Sequence, residues 1–503
     1  TEIYTLSLHD ALPISMRDVV FALARAGRDS RVQGLLLDVR GLPVDWAKAQ
    51  ELHDAVRAFA RGGKPVLAYV ESGGEKEYLL AAAADRVALA PEGNLFLLGV
   101  SAEMSFLKGT LDKLGMRADF VHVGRYKSAP EQLTRADPTE PHRQMIEAIV
   151  DDHYRRLVRS IAQRRGVDEA QAARWIDAGV YDGPGALAAG LVDTLGTLAD
   201  LEEEFAGDAH VMDLEDYAVT RRTGRAAGTI ALIHVTGTIV PGESDWDDWT
   251  GRRTGSDTVV EQLARAREDD GVQAVILRVD SPGGSATASD VIWAEVARTR
   301  ESKPVIVSMS GYAASGGYYV SCGADSIFAE PGTLTGSIGV FAGKVDMSGF
   351  YAKLGISREF VVRGENALLL GNQAVFTPAQ RAALEAQLGA FYGRFVAKVA
   401  AGRGLTAGDV AAVAEGRVWT GEQAVGHRLV DGLGGLQRAL DAAKRRLGLG
   451  TDELVAIVTY EEPLTLLERM LLRTLHRREA GVFGGRAGAG WPGAAAPLLA
   501  ELA

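Results

Sequence analysis

The chain has 503 residues, 47% hydrophobic and 24% charged, the proportions of a folded protein with room for two or three domains. A net charge of −12 and a pI near 5.4 exclude a general nucleic-acid-binding role, which needs a basic surface to displace counterions. The single cysteine, Cys322, excludes an intrachain disulfide and a cysteine-based zinc site, and no apolar run reaches the roughly eighteen residues of a membrane-spanning helix.

In chain order, residues 1–15 come first, without an initial methionine and without the basic and apolar regions of a signal peptide. The segment reads as a non-native leader similar to a translated sequencing-adapter read-through, so the fold is expected to begin near Met16 with its first strand missing. A strand at Leu35–Val39, an amphipathic helix at Ala47–Ala60 and a strand at Val66–Val70 follow. The polar stretch from Asp213 to Gly228 reads as a connecting segment. Beyond it the pattern restarts, with strands at Thr229–Val235, Ala274–Val279 and Val305–Ser308 and a helix at Ala288–Thr299. Strand and helix in alternation imply α/β units with largely parallel sheets. From about Val482 the chain is rich in glycine and alanine and is expected to be disordered.

The restart is a duplication. Val32-Gln-Gly-Leu-Leu-Leu-Asp-Val39 matches Val272-Gln-Ala-Val-Ile-Leu-Arg-Val279, and Lys64-Pro65-Val66 matches Lys303-Pro304-Val305. The order continues with Tyr78 and Tyr318, Asp85 and Asp325, Gly99 and Gly339, Lys113-Leu114-Gly115 and Lys353-Leu354-Gly355, and Gly124 and Gly364. Arg165-Gly166 then meets Arg403-Gly404, and Leu191-Val192-Asp193 meets Leu429-Val430-Asp431, at offsets of 238 to 240 residues. The expected division is a first repeat over 16–212, a linker over 213–228, a second repeat over 229–447 and a partly disordered extension over 448–503.

The chemistry lies where the repeats differ. The second repeat carries Gly311-Tyr-Ala-Ala-Ser315-Gly-Gly-Tyr318, read as a turn that presents a serine at the start of a helix. The first repeat has Glu75 there, since 315 − 240 = 75. Conversely, Gly124-Arg-Tyr-Lys127 in the first repeat faces Gly364-Glu-Asn-Ala367 in the second, since 127 + 240 = 367. One half keeps a serine and the other a lysine, the pattern of one composite site between two repeats. A serine hydroxyl needs a base to become a nucleophile, and a lysine serves once burial has lowered its pKa. Gly316 and Gly317 permit close substrate approach, and Asp280-Ser-Pro-Gly-Gly284-Ser285 offers further backbone N–H groups for an oxyanion.

These residues, with Arg278–Ser285, Ala313–Tyr318, Gly332–Gly339 and Gly124–Ala129, resemble the signature of the long form of the signal peptide peptidase A family, from about residue 17 to 445. The resemblance implies a tandem duplication of the Clp protease/crotonase-like ββα-superhelix domain, with Ser315 as nucleophile and Lys127 as general base. It further implies that Ser337 orients the lysine and that Gly284 donates to the oxyanion. Gly316, next to the nucleophile, is expected to be the second donor. No metal or cofactor is implied. Expected partners are signal peptides and other extended apolar peptides, within a homo-oligomer, a tetramer. The family is anchored in the bacterial cytoplasmic membrane with its catalytic domain on the extracytoplasmic side, and the anchor is expected to be missing from this chain.

Competing readings remain at this level. A crotonase-type enzyme on acyl-CoA thioesters shares the fold but typically uses acidic residues for proton transfer, and a catalytically dead scaffold is the other alternative. Cys322 reads as a buried small apolar residue rather than a nucleophile. The nine histidines lack metal-ligand spacing, and the glycine-rich segments lack the features of a phosphate loop.

Overall fold

The computed structural model describes residues 2–7, 15–219, 226–247 and 251–460. Its two main sheets, one per repeat, share a strand order. In the first, Thr194–Leu195, Arg86–Leu89, Val66–Val70, Val32–Val39, Glu2–Ser7 and His210–Asp213 lie side by side, all parallel. In the second, Gly432–Leu433, Ser326–Ala329, Val305–Ala314, Ala274–Ser281, Gly228–Thr236 and Val455–Val458 take the same six places. The fold is therefore a tandem α/β duplication. Val32–Val39 and Ala274–Ser281 are nearly continuous apolar runs because each is buried on both faces. The flanking helices begin where a side chain takes a free N–H: Asp45 accepts from Lys48 before Trp46–Ala60, and Ser285 accepts from Ala288 before Ala286–Arg300.

The repeated polar residues turn out to be the fold's latches. Tyr78 donates to the Leu191 carbonyl at 2.6 Å, and Tyr318 donates to the Leu429 carbonyl at 2.9 Å. Asp85 accepts from the Val66 N–H and Asp325 from the Val305 N–H, each at 2.9 Å. Arg165 pairs with Asp193 at 2.8 Å and Arg403 with Asp431 at 2.6 Å. Each latch is made in the same way in both halves, from a helix to a loop for the tyrosines and arginines and from a loop to a strand's first N–H for the aspartates, which accounts for the survival of these residues as repeat markers.

Four expectations need correction. The first strand is not missing: the backbone of Glu2–Ser7 pairs with Val32–Val39 and His210–Asp213, the place Gly228–Thr236 holds in the second sheet. The segment 213–228 is not only a connection, because Leu214–Val219 is a helix that buries Leu214 and Tyr217 in the first core. The second repeat does not stop at 447, since Val455–Val458 is the sixth strand of its sheet. The strand expected over Val305–Ser308 runs on to Ala314, because its polar residues Ser308 and Ser310 are buried against an arginine. The glycine- and alanine-rich tail from Val482 lies outside the described residues. Among the described residues, no helix is long and apolar enough to cross a membrane.

Three features join the repeats. Arg117–Val123 of the first pairs antiparallel with Val340–Asp346 of the second, with Val121 opposite Ala342. Glu51 of the first is buried in an ion pair with Arg278 of the second, which also donates to Ser308 at 2.7 Å and Ser310 at 3.0 Å. The other Glu51 oxygen accepts from the Leu436 N–H at 2.6 Å, so both oxygens of the buried carboxylate are satisfied. Lys48 bridges Asp45 of its own repeat and Asp280 of the other, 2.7 Å from each.

Candidate active site

The long strand Val305–Ala314 delivers Ser315 to the start of the helix Gly316–Ser321. Ser315 has φ 54° and ψ −114°, a region that costs a non-glycine residue on the order of 1–3 kcal/mol. Its N–H donates to the Gly336 carbonyl at 2.9 Å and its carbonyl accepts from Tyr319 at 2.8 Å, so both flanks hold the strained turn in place. Ser337, on the next strand's exit, is likewise at positive φ, 51°, with its N–H on the Arg417 carbonyl at 2.7 Å.

Lys127 arrives from the other repeat. Immediately after the inter-repeat strand pair, Gly124 turns at φ 107° and the Tyr126 N–H bonds to the Glu415 carbonyl at 2.8 Å, carrying the chain over the second repeat. Lys127 Nζ lies 3.0 Å from Ser315 Oγ, 3.0 Å from Ser337 Oγ and 3.2 Å from the Ser337 carbonyl oxygen. The residue is 5% exposed, and among the described residues no carboxylate pairs with its ammonium group. Burial alone therefore pulls its pKa from the usual 10.5 down to about 7. Half the molecules carry a neutral amine near neutrality, as a general base requires.

The oxyanion donors expected at Gly284 and Gly316 are adjacent. A Cβ on Gly316 would stand 3.2 Å from the Gly284 nitrogen and 2.5 Å from Ser289 Oγ. Among the described residues neither N–H donates within the chain. Gly283 and Gly284 sit at φ 107° and 150°, and a Cβ on Gly284 would strike the Ile239 backbone, so the loop admits only glycine. Lys48 fixes the loop's base through Asp280, which also accepts from the Tyr312 N–H at 3.1 Å.

Beside the serine and lysine opens a pocket of about 390 Å³ whose walls are mostly apolar, with Leu107, Met145, Ile146, Ile149 and Leu334 among them. His142 closes one side, with its Nδ1 3.1 Å from the buried carboxylate of Glu131. Beyond Lys127 and Ser337, sequence reading gave no role to the residues that wall this pocket, Gly416 among them. Gly416, at φ 78°, lies so close under Lys127 that a Cβ would stand 2.6 Å from the lysine's Cα and Cβ. Tyr126 and Val418 line the same pocket. Only the Gly-Arg-Val run at 416–418 hinted at a tight passage, and glycine in a loop is too common to single out.

The corresponding place in the first repeat is filled. Glu75, at the serine position, accepts from the Leu98 N–H at 2.6 Å and the Gly99 N–H at 2.8 Å. Glu77 accepts from the Leu42 N–H at 2.7 Å. Two carboxylates thus occupy backbone donors there. Cys322 is fully buried, with its thiol pushed up to about 12 by desolvation, which removes it as a nucleophile.

The sequence signature of peptidase family S49 matches residues 58–212 and again 297–450. The chain belongs to peptidase family S49. It is a serine peptidase, and the double match follows its two repeats. The signature of the Clp protease family matches residues 251–332, the stretch from the strand Gly251–Gly255 to just past the strand Ser326–Ala329. The chloroplastic serine protease SPPA of Arabidopsis thaliana is 32% identical over 460 residues, covering 89% of this chain and 68% of that protein. Protease 4 of Haemophilus influenzae is 32% identical over 473 residues, covering 89% and 75%. Protease 4 of Salmonella typhi is 33% identical over 448 residues, covering 85% and 71%. Among solved structures, a ClpP1 mutant from Listeria monocytogenes aligns with 42% of this chain and 94% of its own at 14% identity and a TM-score of 0.28. A mutant of the 1510-N membrane-bound stomatin-specific protease aligns with 48% and 100% at 17% identity and a TM-score of 0.29. The fold of this S49 peptidase rests on its own strand pairing and on the family match, not on those two likenesses.

Proposed function

We propose that this S49 peptidase is an endopeptidase with a Ser315–Lys127 dyad that degrades released signal peptides and other extended apolar peptides through an acyl-enzyme. The observation that carries the reading is the buried Lys127 amine 3.0 Å from Ser315 Oγ, its pKa lowered by burial. Neutral Lys127 takes the Ser315 proton as Oγ attacks the scissile carbonyl carbon. The Gly284 and Gly316 N–H groups receive the tetrahedral oxyanion. Protonated Lys127 then passes its proton to the leaving amine, and the C–N bond breaks to leave the ester. Lys127 next takes a proton from a water whose oxygen attacks the ester carbon; the C–Oγ bond then breaks, and Lys127 returns that proton to Ser315 Oγ. Ser337, by holding Nζ through hydroxyl and carbonyl, keeps the amine's lone pair on Ser315.

The apolar walls of the pocket support side chains such as Leu and Ala next to the cleaved bond. Such substrates place the enzyme at the bacterial cytoplasmic membrane, on its extracytoplasmic side. The protomers form a homotetrameric ring with the sites inside, each made within one chain. An aryl phosphonate probe tests the dyad: it is expected to label the wild-type protein and not Ser315→Ala, which should keep the wild-type circular dichroism. Labelling that survives in Ser315→Ala would place the nucleophile elsewhere.

A further inference from the structure

The pocket beside the dyad has a polar end whose groups take no part in the chemistry. His142 is 7% exposed, and its Nδ1 faces the Glu131 carboxylate. A carboxylate at that nitrogen keeps the ring proton there, so the neutral ring presents Nε2 as an acceptor. Among the described residues Nε2 has no hydrogen-bond partner, and it is not sealed from the pocket that His142 lines. His142, Met145, Ile146 and Ile149 are spaced three and four apart on the helix Glu140–Arg165, so the polar end and the apolar wall are one continuous helix face.

The charge at this end is negative. Glu131 is buried where that helix begins and accepts from the Thr139 N–H at 2.9 Å and the Thr139 hydroxyl at 2.6 Å, so the positive end of the helix already has its anion. The ring and Glu131 together carry no positive charge in either form of the ring. Glu103 lines the same pocket and is exposed. Its carboxylate accepts from Ser105 Oγ at 3.2 Å, and among the described residues no Lys or Arg pairs with it. Lys127, the other basic residue among the described lining, is a neutral amine above its pKa of about 7. An acidic side chain would be repelled at this end, and an apolar one would leave Nε2 unmet.

We propose that this end of the pocket binds the cationic head of a substrate lysine or arginine, through His142 Nε2 and the Glu103 carboxylate. The methylene stem lies along Met145 and Ile146, as the stems of long basic side chains do on apolar surfaces. A buried cation is costly unless acceptors meet it, so these two groups select for the sign of the charge. The inference rests on the signal-peptide reading above and sharpens it. A signal peptide carries basic residues directly before its apolar stretch. A segment whose apolar residues fill the walls therefore brings a basic one to this end, and the preferred cut falls near the boundary of the two regions.

The test is a set of fluorogenic apolar peptides at pH 8, with lysine, norleucine or glutamate placed in turn at each position before the cleaved bond. At one position lysine is expected to exceed norleucine about tenfold or more in kcat/KM, with glutamate below both. His142→Asn keeps a donor for Glu131 while removing Nε2, and Glu103→Gln keeps the shape while removing the charge. Each is expected to lower the lysine-to-norleucine ratio about threefold or more, the scale of one lost contact to a charge. Glu103→Lys is expected to turn the preference toward glutamate, which a merely structural role would not do. Should His142→Asn fail to fold by circular dichroism, the two variants of the exposed Glu103 decide the question. A lysine preference that is absent at every position, or that withstands the Glu103 variants, would overturn the inference and leave the apolar-peptide reading in place. A wild-type protein that cuts none of these peptides would overturn both.

Discussion

Lys127→Met should make the protein more stable while abolishing cleavage. The folded chain holds the lysine at about 7, and the unfolded chain returns it to the usual 10.5. Between those values the unfolded chain binds nearly one proton more than the folded one, so stability rises with pH by about 1.4 kcal/mol per unit. Below pH 7 both states are protonated and the penalty is complete, on the order of 5 kcal/mol. At pH 7.5 about 4 kcal/mol of it remains. Methionine, of similar length, carries no such penalty but forfeits the hydrogen bonds to Ser337, worth about 1–2 kcal/mol. The net expectation is a gain of about 2–3 kcal/mol at pH 7.5 that shrinks by about the same amount at pH 9.5. Urea unfolding at the two pH values reads it, in a Ser315→Ala background so that neither protein digests itself. A difference that stays constant across those two pH values would mean that Lys127 is not held neutral by burial, and the reasoning would fail.

The same lysine should make kcat/KM for a peptide rise with pH through a midpoint near 7, and a rise confined to the region of 10.5 would contradict its burial. Ser315→Ala and Lys127→Ala should each remove cleavage, and the double variant should be no worse than either single one in steady-state assays, because the two groups act as a unit. Gly416→Ala pushes a Cβ against the Lys127 backbone, so kcat should fall by about 10²-fold, the scale set by an ångström of misplacement, with thermal stability read in parallel; unchanged kcat would dismiss the close passage. Arg278→Met leaves Glu51 as an uncompensated buried charge near Glu330, whose carboxyl burial already keeps well above its usual range. The expected loss is about 3–5 kcal/mol, seen as a lower urea midpoint, and an unchanged midpoint would show that the pair is not holding the repeats together.

The duplication was legible because its markers are latches. Tyr78, Asp85 and Arg165 perform the same bonds as Tyr318, Asp325 and Arg403, and a residue tied to a fixed geometry survives where its neighbours drift. Ser315 and Lys127 were legible from the asymmetry between halves and Ser337 from the family resemblance, and Lys127 lies within hydrogen-bonding distance of both serines. The end of the strand before Ser315 was not legible, because Ser308 and Ser310 look like a turn until Arg278 arrives from the neighbouring strand to satisfy them. Glu51, on an ordinary amphipathic helix, gave no sign of burial, since its partner is 227 positions away. Leu214–Val219 was hidden by the arginine-rich run that follows it, and Gly416 by the plainness of a loop glycine. In each case the missing information was a partner distant in sequence.

The strand pair between Arg117–Val123 and Val340–Asp346 also orders events in time. Domains emerging from the ribosome fold as they appear, the N-terminal one first. A nascent chain that ends before Ser315 would possess the proposed base and not the proposed nucleophile, with Glu75 standing at the equivalent place in its own half. Hydrolytic power begins only when the second half has folded and its strand has closed on the first. Truncated translation products that lack the second half would lack one partner of the proposed dyad.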